Sequence, residues 1–178
     1  MSASNAGQVI DNIEIKDNKE HAGSQYLTFT LGDEYYGVDI LRVQEIKGWT
    51  PVTSIPNSPT YLKGVLNLRG TIVPIIDLRT RFNLPHAEYT AITVIIVLSI
   101  QSEKGAHVAG VVVDSVSDVL TVSREDIKPT PDLGSDVKTD FILGMATTDD
   151  QMAMLLDIDK MLSLDELTAM DDVSIKQN

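Results

Sequence analysis

The chain has 178 residues, a formal net charge of −12 from 14 basic and 26 acidic residues, and no Cys. The absence of Cys excludes disulfide frameworks, thiolate metal sites and cysteine nucleophiles, and it is typical of a reducing compartment. The negative charge argues against nucleic acid and anionic membrane surfaces as partners, because both attract cations. The longest apolar run, Ala91–Ile100, is about half the length of a membrane span, so we expect no direct membrane insertion.

The predicted elements that follow a flexible N-terminal arm (residues 1–24) are almost all strands. Alternation in Tyr26–Leu31 predicts a strand with one apolar face, Gly32–Glu34 is typical of a turn, and Tyr35–Asp39 completes a hairpin. Further β-branched runs predict strands at Gly64–Leu68, Thr71–Leu78, Thr93–Ile100, Val108–Val113, Val116–Val122 and Met152–Ile158.

Two features refine this pattern. Pro74 lies inside a predicted strand, so that strand is expected to be an edge strand or to carry a bulge, because proline has no N–H to donate. The capping box Ser163–Glu166 predicts a short C-terminal helix that ends at about Met170, before a tail at residues 171–178. Short strands joined by Gly and Pro turns predict an all-β fold of small closed barrels.

The sequence contains an internal duplication. The pattern of Tyr36–Asp39 reappears at Ala109–Val112, and that of Val43–Ile46 reappears at Val116–Val119, both with a lag of 73 residues. Downstream the lag is 80 residues, with Tyr61–Gly64 matched by Phe141–Gly144 and Ile75–Leu78 matched by Leu155–Ile158. We infer two similar half-domains, with a groove between their barrels in which a partner would bind.

The residue pattern offers no reaction. His21, His86 and His107 lie in the arm, a linker and a loop without ligand spacing, so we expect solvated histidines and no metal site. Asp77 and Asp157 are equivalent under the duplication, which leaves a small hydrolase formally open. We interpret both carboxylates as ends of apolar strands that accept backbone N–H groups. No catalytic residue and no cofactor is predicted.

Glu45 and Arg69 are the charged residues with a predicted binding role. They lie on neighbouring segments of the first half, each within an otherwise apolar strand pattern, and are expected to pair. A charge pair beside a groove would orient a partner and so determine specificity more than affinity. Val43, Val94 and Val119 are apolar strand residues, for which burial in the core is the simpler interpretation.

Three long segments resemble the CheW family of chemotaxis coupling proteins: Gln25–Ile46, Lys63–Arg79 and Ala109–Leu120. The resemblance covers the chain from Gln25 to about Leu167. It implies two SH3-like five-stranded β-barrels packed around a shared core, in agreement with the duplication. We therefore predict a CheW-like domain at residues 25–170, made of two intertwined barrels whose boundary lies near residues 80–92.

The resemblance also implies the function of a non-enzymatic adaptor. Such a protein is cytoplasmic, is recruited to membrane-associated chemoreceptor arrays, and couples the cytoplasmic tip of methyl-accepting chemoreceptors to the regulatory domain of the histidine kinase CheA. A coupler in a non-flagellar chemosensory pathway is the alternative, and the net charge argues against a third reading, a nucleic-acid-binding barrel. Gly64 and Gly144 are duplication partners, which favours a backbone requirement at both. The residues that match the receptor-binding positions of the family are Val43, Glu45, Gly64, Arg69, Val94, Val119 and Gly144.

Overall fold

Ten strands and two four-residue helices make up most of the part of the chain that the structure, a computed structural model, describes: residues 23–131, 140–148 and 151–162. Helix α1 spans Leu78–Arg81, helix α2 spans Ile158–Met161, and a 3-10 turn covers Ile40–Arg42. The strands are β1 (Ser24–Leu31), β2 (Glu34–Asp39), β3 (Val43–Gly48), β4 (Leu62–Leu68), β5 (Thr71–Asp77), β6 (Val94–Ser102), β7 (Gly105–Val113), β8 (Ser115–Val122), β9 (Ile142–Thr148) and β10 (Gln151–Leu156).

The strands form two five-stranded sheets that share one strand order. Sheet 1 has the order β8-β1-β2-β10-β9, and sheet 2 has the order β3-β6-β7-β5-β4. Under the duplication β1 to β5 correspond to β6 to β10, so the two orders are equivalent. Each sheet combines the first two strands of one half of the sequence with the last three strands of the other half. The predicted all-β fold of two five-stranded barrels related by duplication is confirmed.

Smaller contacts repeat in the two halves as well. β2 pairs in parallel with β10, and β5 pairs in parallel with β7. A β-bridge joins Thr53 to Val65 in the first half, and another joins Lys128 to Met145 in the second. These bridges attach the segment after β3 to β4, and the segment after β8 to β9. Each sheet thereby curls so that its outer strands approach one another.

Three hydrophobic clusters hold the sheets. The largest contains fully buried residues of both sheets, such as Phe29 and Val38 of sheet 1 and Ile96 and Val111 of sheet 2, and it forms the shared core. A second cluster around Ile75 belongs to sheet 2, and a third around Leu155, Val122 and Ala146 belongs to sheet 1. Full burial of one such side chain stabilises the fold by about 1.5–3 kcal/mol.

Several predicted elements differ from the structure. The strand predicted to reach Ile158 ends at Leu156, because Asp157 caps helix α2 and turns the chain. Strand β3 agrees with the strand pattern expected around Val43 and Glu45, whereas β9 was not predicted, because Gly144 and Ala146 weaken its strand pattern. The strand with Pro74 is internal rather than an edge, but its parallel pairing with β7 covers Ile75–Asp77 and so begins after the proline.

The pairing of β4 with β5 does carry an irregularity, which lies between Leu62 and Gly64. The expected bulge is therefore in the partner strand rather than at Pro74. The helix predicted at residues 163–170 and the tail at 171–178 lie outside the described residues, as do residues 1–22 of the predicted arm.

Candidate partner-binding site

Glu45 and Arg69 form the predicted pair. Nη2 of Arg69 donates to Oε2 of Glu45 at 2.8 Å. Glu45 lies on β3, and Arg69 follows β4 in a left-handed conformation with a φ of 53°. The turn is held by Asn67, whose side-chain oxygen accepts from the N–H of Gly70 at 2.8 Å. Because β3 and β4 are the outer strands of sheet 2, the ion pair joins the two edges of that sheet.

The pair forms the rim of a pocket of about 310 Å³. The floor is apolar and includes Val73 and Val97, which are buried members of the sheet 2 cluster. The remaining lining comes from Gln44, Leu68, Thr71 and Val108. This mixed lining, with one carboxylate and one guanidinium at its rim, can contact both polar and apolar surface of a partner and orient its charges.

The charges of this pair face solvent. The Arg69 side chain is 81% exposed and that of Glu45 is 33% exposed. An ion pair of this exposure contributes about 0–1 kcal/mol to stability, because water and salt screen it. Both charges are therefore available to a binding partner at little cost to the fold.

Gly64 and Gly144 meet backbone requirements. A Cβ atom on Gly64 would lie 2.1 Å from the carbonyl oxygen of Thr53, and the φ of Gly64 is 151°. A Cβ atom on Gly144 would lie 2.6 Å from Cγ2 of Ile127 and 2.7 Å from the carbonyl oxygen of Lys128. The expected backbone requirement is confirmed at both positions, with close approach at both and positive φ at Gly64.

The three valines border the shared core. Val43, Val94 and Val119 are partly buried and pack against the largest cluster. Val43 and Val94 lie at opposite ends of the β3–β6 pairing, and Val119 lies on β8 in the other sheet. Of the seven predicted residues, the structure therefore brings Glu45 and Arg69 into direct contact. The others are distributed over β3, β4, β6, β8 and β9.

Asp77 and Asp157 have structural roles. Asp77 is only 3% exposed, accepts the N–H of Arg79 at 2.9 Å and accepts the hydroxyl of Tyr89 at 2.6 Å. Asp157 accepts the N–H of Lys160 at 3.2 Å. The prediction that these carboxylates end strands and accept N–H groups is confirmed. Burial raises the pKa of Tyr89, and its hydrogen bond to Asp77 raises that pKa further.

His107 is not the solvated histidine that was predicted. Both of its ring nitrogens are buried and have no hydrogen-bond partner. The reason is that β7 begins at Gly105, so the expected loop is part of a strand. Alternation then places His107 on the same face as Ala109 and Val111 of the shared core. His86 is exposed, as predicted, and His21 lies outside the described residues.

Two further ion pairs were missed in the sequence. In the first pair, two nitrogens of Arg42 bind the two carboxylate oxygens of Asp159 at 2.9 and 2.7 Å. We call it the sheet-1 pair, because Asp159 lies in the helix that follows β10 of sheet 1. In the second pair, Nε and Nη2 of Arg79 bind the carboxylate of Asp114 at 2.8 and 2.6 Å. We call it the sheet-2 pair, because Arg79 lies in the helix that follows β5 of sheet 2. Exposure of these side chains lies between 18% and 30%. The available signal was that Arg79 and Asp159, which the lag of 80 relates, carry opposite charges, as do Arg42 and Asp114 just before the third strand of each half.

Each pair is anchored by neighbouring backbone groups. Asp114 also accepts the N–H of Gly32 at 2.8 Å, and Asp159 accepts the N–H of Gln101 at 2.8 Å. The hydrogen bond from Arg79 is the main cause that holds the pKa of Asp114 below its usual range. Burial raises the pKa of Asp159, but the hydrogen bonds from Arg42 and Gln101 outweigh it and the net pKa is lowered.

The described part of the chain contains neither a metal-binding group of side chains nor a membrane-spanning helix. Within residues 23–131, 140–148 and 151–162, no three His, Cys, Asp or Glu side chains are grouped so that they could hold a metal ion. No helix among these residues has the length and apolar character needed to cross a bilayer.

A duplicated pair of five-stranded sheets with a charged rim around a pocket of mixed polar and apolar lining defines a binding module. A family model for the CheW-like domain matches residues 25–166. The chain is 46% identical to the chemotaxis protein CheW of Klebsiella aerogenes, over 87% of this chain and 91% of that protein. It is 41% identical to the chemotaxis protein CheW of Rhizobium meliloti, over 84% of this chain and 94% of that protein.

A solved structure agrees with these sequence comparisons. The crystal structure of the scaffolding protein TtCheW from Thermoanaerobacter tengcongensis matches with a TM-score of 0.71 and 31% identity, over 80% of this chain and 90% of that chain. The chain belongs to the CheW family, and it is a chemotaxis scaffold protein of that family.

Proposed function

We propose that this chain is a non-enzymatic adaptor that couples chemoreceptors to the histidine kinase CheA. It acts in the cytoplasm at membrane-associated receptor arrays, where it binds the cytoplasmic tip of the receptor and the regulatory domain of the kinase. The observation that carries the proposal is the exposed Glu45–Arg69 pair at the rim of a pocket, in a chain of the CheW family.

The pocket and its rim divide the work of receptor binding. Leu68 and Val108, the partly exposed apolar residues of the lining, contact apolar surface of the receptor helix, and burial of that surface provides affinity. Glu45 and Arg69 orient the helix through complementary charges, which provides specificity. Receptor state then reaches the kinase as a coupling free energy between two binding sites.

The remaining predicted residues shape the receptor-binding surface in this proposal. Val43, Val94 and Val119 present apolar surface where the shared core reaches its border. Gly64 and Gly144 hold β4 and β9 close to the segments that curl each sheet. Their substitution is therefore expected to change receptor binding through the shape of the surface rather than through loss of a contact.

The test is kinase autophosphorylation in a mixture of receptor-containing membranes, CheA and this chain, with and without attractant. Activation that depends on the chain and is suppressed by attractant is the expected result. Folded chain that leaves kinase activity unchanged would contradict the proposal. The two activity levels with and without attractant separate coupling from a direct effect on the kinase.

Glu45→Lys is expected to abolish this activation while changing the free energy of unfolding by less than about 1 kcal/mol. Glu103→Lys is the matched control, because it makes the same charge change at an exposed turn residue between β6 and β7. Combining Glu45→Lys with Arg69→Glu restores an ion pair with inverted charges, and we expect it to leave coupling lost. Full activation by Glu45→Lys would contradict the receptor-binding role of Glu45, and a large loss of stability would assign it a structural role instead.

A further inference from the structure

The sheet-1 pair and the sheet-2 pair occupy corresponding places in the duplicated fold, although Arg42 and Asp114 are offset by one residue, because the lag of 73 relates Arg42 to Ser115. Arg42 directly precedes β3, and Asp114 directly precedes β8, which is the equivalent strand. Arg79 and Asp159 are the second residues of α1 and α2, and the lag of 80 residues relates them. Each pair therefore joins the residue before the third strand of one half to the short helix of the other half.

The charges of the two pairs are in opposite order. The residue before the third strand is Arg42 in the first half and Asp114 in the second. The helix residue is Arg79 in the first half and Asp159 in the second. Opposite charges therefore meet only when unlike halves pair with each other, as they do in this structure.

The first two strands of one half cannot form a sheet with the last three strands of the same half. In sheet 1, β8 runs parallel to β2, with Ser115 level with the start of β2. If β3 took that place, the three-residue turn between Asp39 and Val43 would have to cross back along the six-residue strand β2, a distance of about 20 Å. A turn of that length spans about 14 Å at most.

The competing arrangement is therefore one in which like halves of two copies pair. The first two strands of a first half would join the last three strands of a first half in another copy, with the same sheet order. Arg42 would then face Arg79 of the other copy, and Asp114 would face Asp159 of the other copy. These side chains are mostly buried, so solvent screens such like-charge contacts less than at an open surface.

We propose that the opposite order of charges in the two ion pairs selects which halves of the duplicated sequence pair. The order favours unlike halves and opposes the exchange of like halves between copies. The two ion pairs thus keep the duplicated chain from assembling with other copies during folding. Specificity here comes from a repulsive contact in the competing state as well as an attractive contact in the native state.

Reversing the charges of one ion pair is expected to promote pairing between like halves of different copies. Arg42→Asp combined with Asp159→Arg keeps the sheet-1 pair attractive, but it also makes both contacts between like halves attractive. Arg79→Asp combined with Asp114→Arg has the same effect through the sheet-2 pair. All four substitutions together restore the original situation, with attraction between unlike halves and repulsion between like halves.

The experiment refolds two differently tagged populations of the full chain together from urea and measures how much of one is recovered with the other. Populations mixed after folding give the baseline. We expect each double variant to show several-fold more co-recovery than the natural chain, increasing with protein concentration. The fourfold variant is expected to return to the level of the natural chain.

Two results would overturn the proposal. The first is co-recovery of both double variants at the level of the natural chain. The second is equal co-recovery of the fourfold and double variants, which would assign the effect to general destabilisation. If one double variant does not fold, the other makes the same test. Arg42→Gln combined with Asp159→Asn provides a milder variant, for which we expect an intermediate increase.

Discussion

Gly64→Ala is expected to destabilise the chain by about 3–5 kcal/mol, because the added methyl group has no space. Its Cβ atom would lie 2.1 Å from the carbonyl oxygen and 2.6 Å from the carbonyl carbon of Thr53. Both contacts are with backbone, which cannot move aside as a flexible side chain can. Relief requires that the segment around Thr53 separate from β4.

The magnitude follows from the contacts that this separation breaks. The N–H of Thr53 donates to the carbonyl oxygen of Val65 at 3.0 Å, and the N–H of Val65 donates to that of Thr53 at 2.9 Å. Loss of both bonds costs about 1 kcal/mol each. The positive φ of Gly64 adds about 1–3 kcal/mol of backbone strain for alanine. For a chain of this size the sum lowers the melting temperature by about 10 °C.

Urea unfolding followed by circular dichroism measures this loss. Gly48→Ala is the matched control, because it lies in the same sheet and no atom lies within 4 Å of its added Cβ atom. We expect the control to change the free energy of unfolding by less than about 1 kcal/mol. If Gly64→Ala were also within about 1 kcal/mol of the natural chain, the reasoning from backbone contact would be refuted.

Three further predictions concern buried polar groups. Hydrogen bonds from Arg79 lower the folded-state pKa of Asp114. The ionised carboxylate therefore stabilises the fold fully at a pH above the ordinary carboxyl pKa of about 4. That stabilisation is lost as the pH falls through the lowered folded-state pKa. Urea unfolding from about pH 7 to pH 2 should therefore show a weaker acid dependence in Asp114→Asn than in the natural chain. His107→Leu should raise the free energy of unfolding by about 1–2 kcal/mol, because it removes two buried nitrogens without partners; a lower melting temperature would contradict this. Tyr89→Phe should lower the free energy of unfolding by about 1–3 kcal/mol, because Asp77 loses the hydrogen bond from the hydroxyl at 2.6 Å. Urea unfolding followed by the fluorescence of the single tryptophan measures this loss, and unchanged stability would contradict it.

The fold was predictable where the sequence repeats itself. The duplication identified equivalent strands, the glycines at 64 and 144, and the carboxylates that end β5 and β10. It did not predict that each sheet mixes strands from both halves, because that depends on the turn at Ile40–Arg42 being too short to return along β2. Connection geometry, rather than hydrophobic pattern, determines this exchange.

The candidate site was partly predictable. Two opposite charges within apolar strand patterns led to the Glu45–Arg69 pair, which the structure confirms. The pocket beside it depends on curvature of sheet 2 and has no local signal in the sequence. His107 was assigned to a loop because its neighbours Gly105 and Ala106 weaken the strand pattern, although hydrogen bonds to β6 continue through them. Pairing between strands can override such local preferences.

The most direct test of the adaptor proposal is co-sedimentation of CheA with receptor-containing membranes at increasing concentrations of this chain. We expect CheA to sediment only when the chain is present, and Glu45→Lys to prevent this while Glu103→Lys does not. CheA that sediments equally with and without the folded chain would contradict the proposed bridging role.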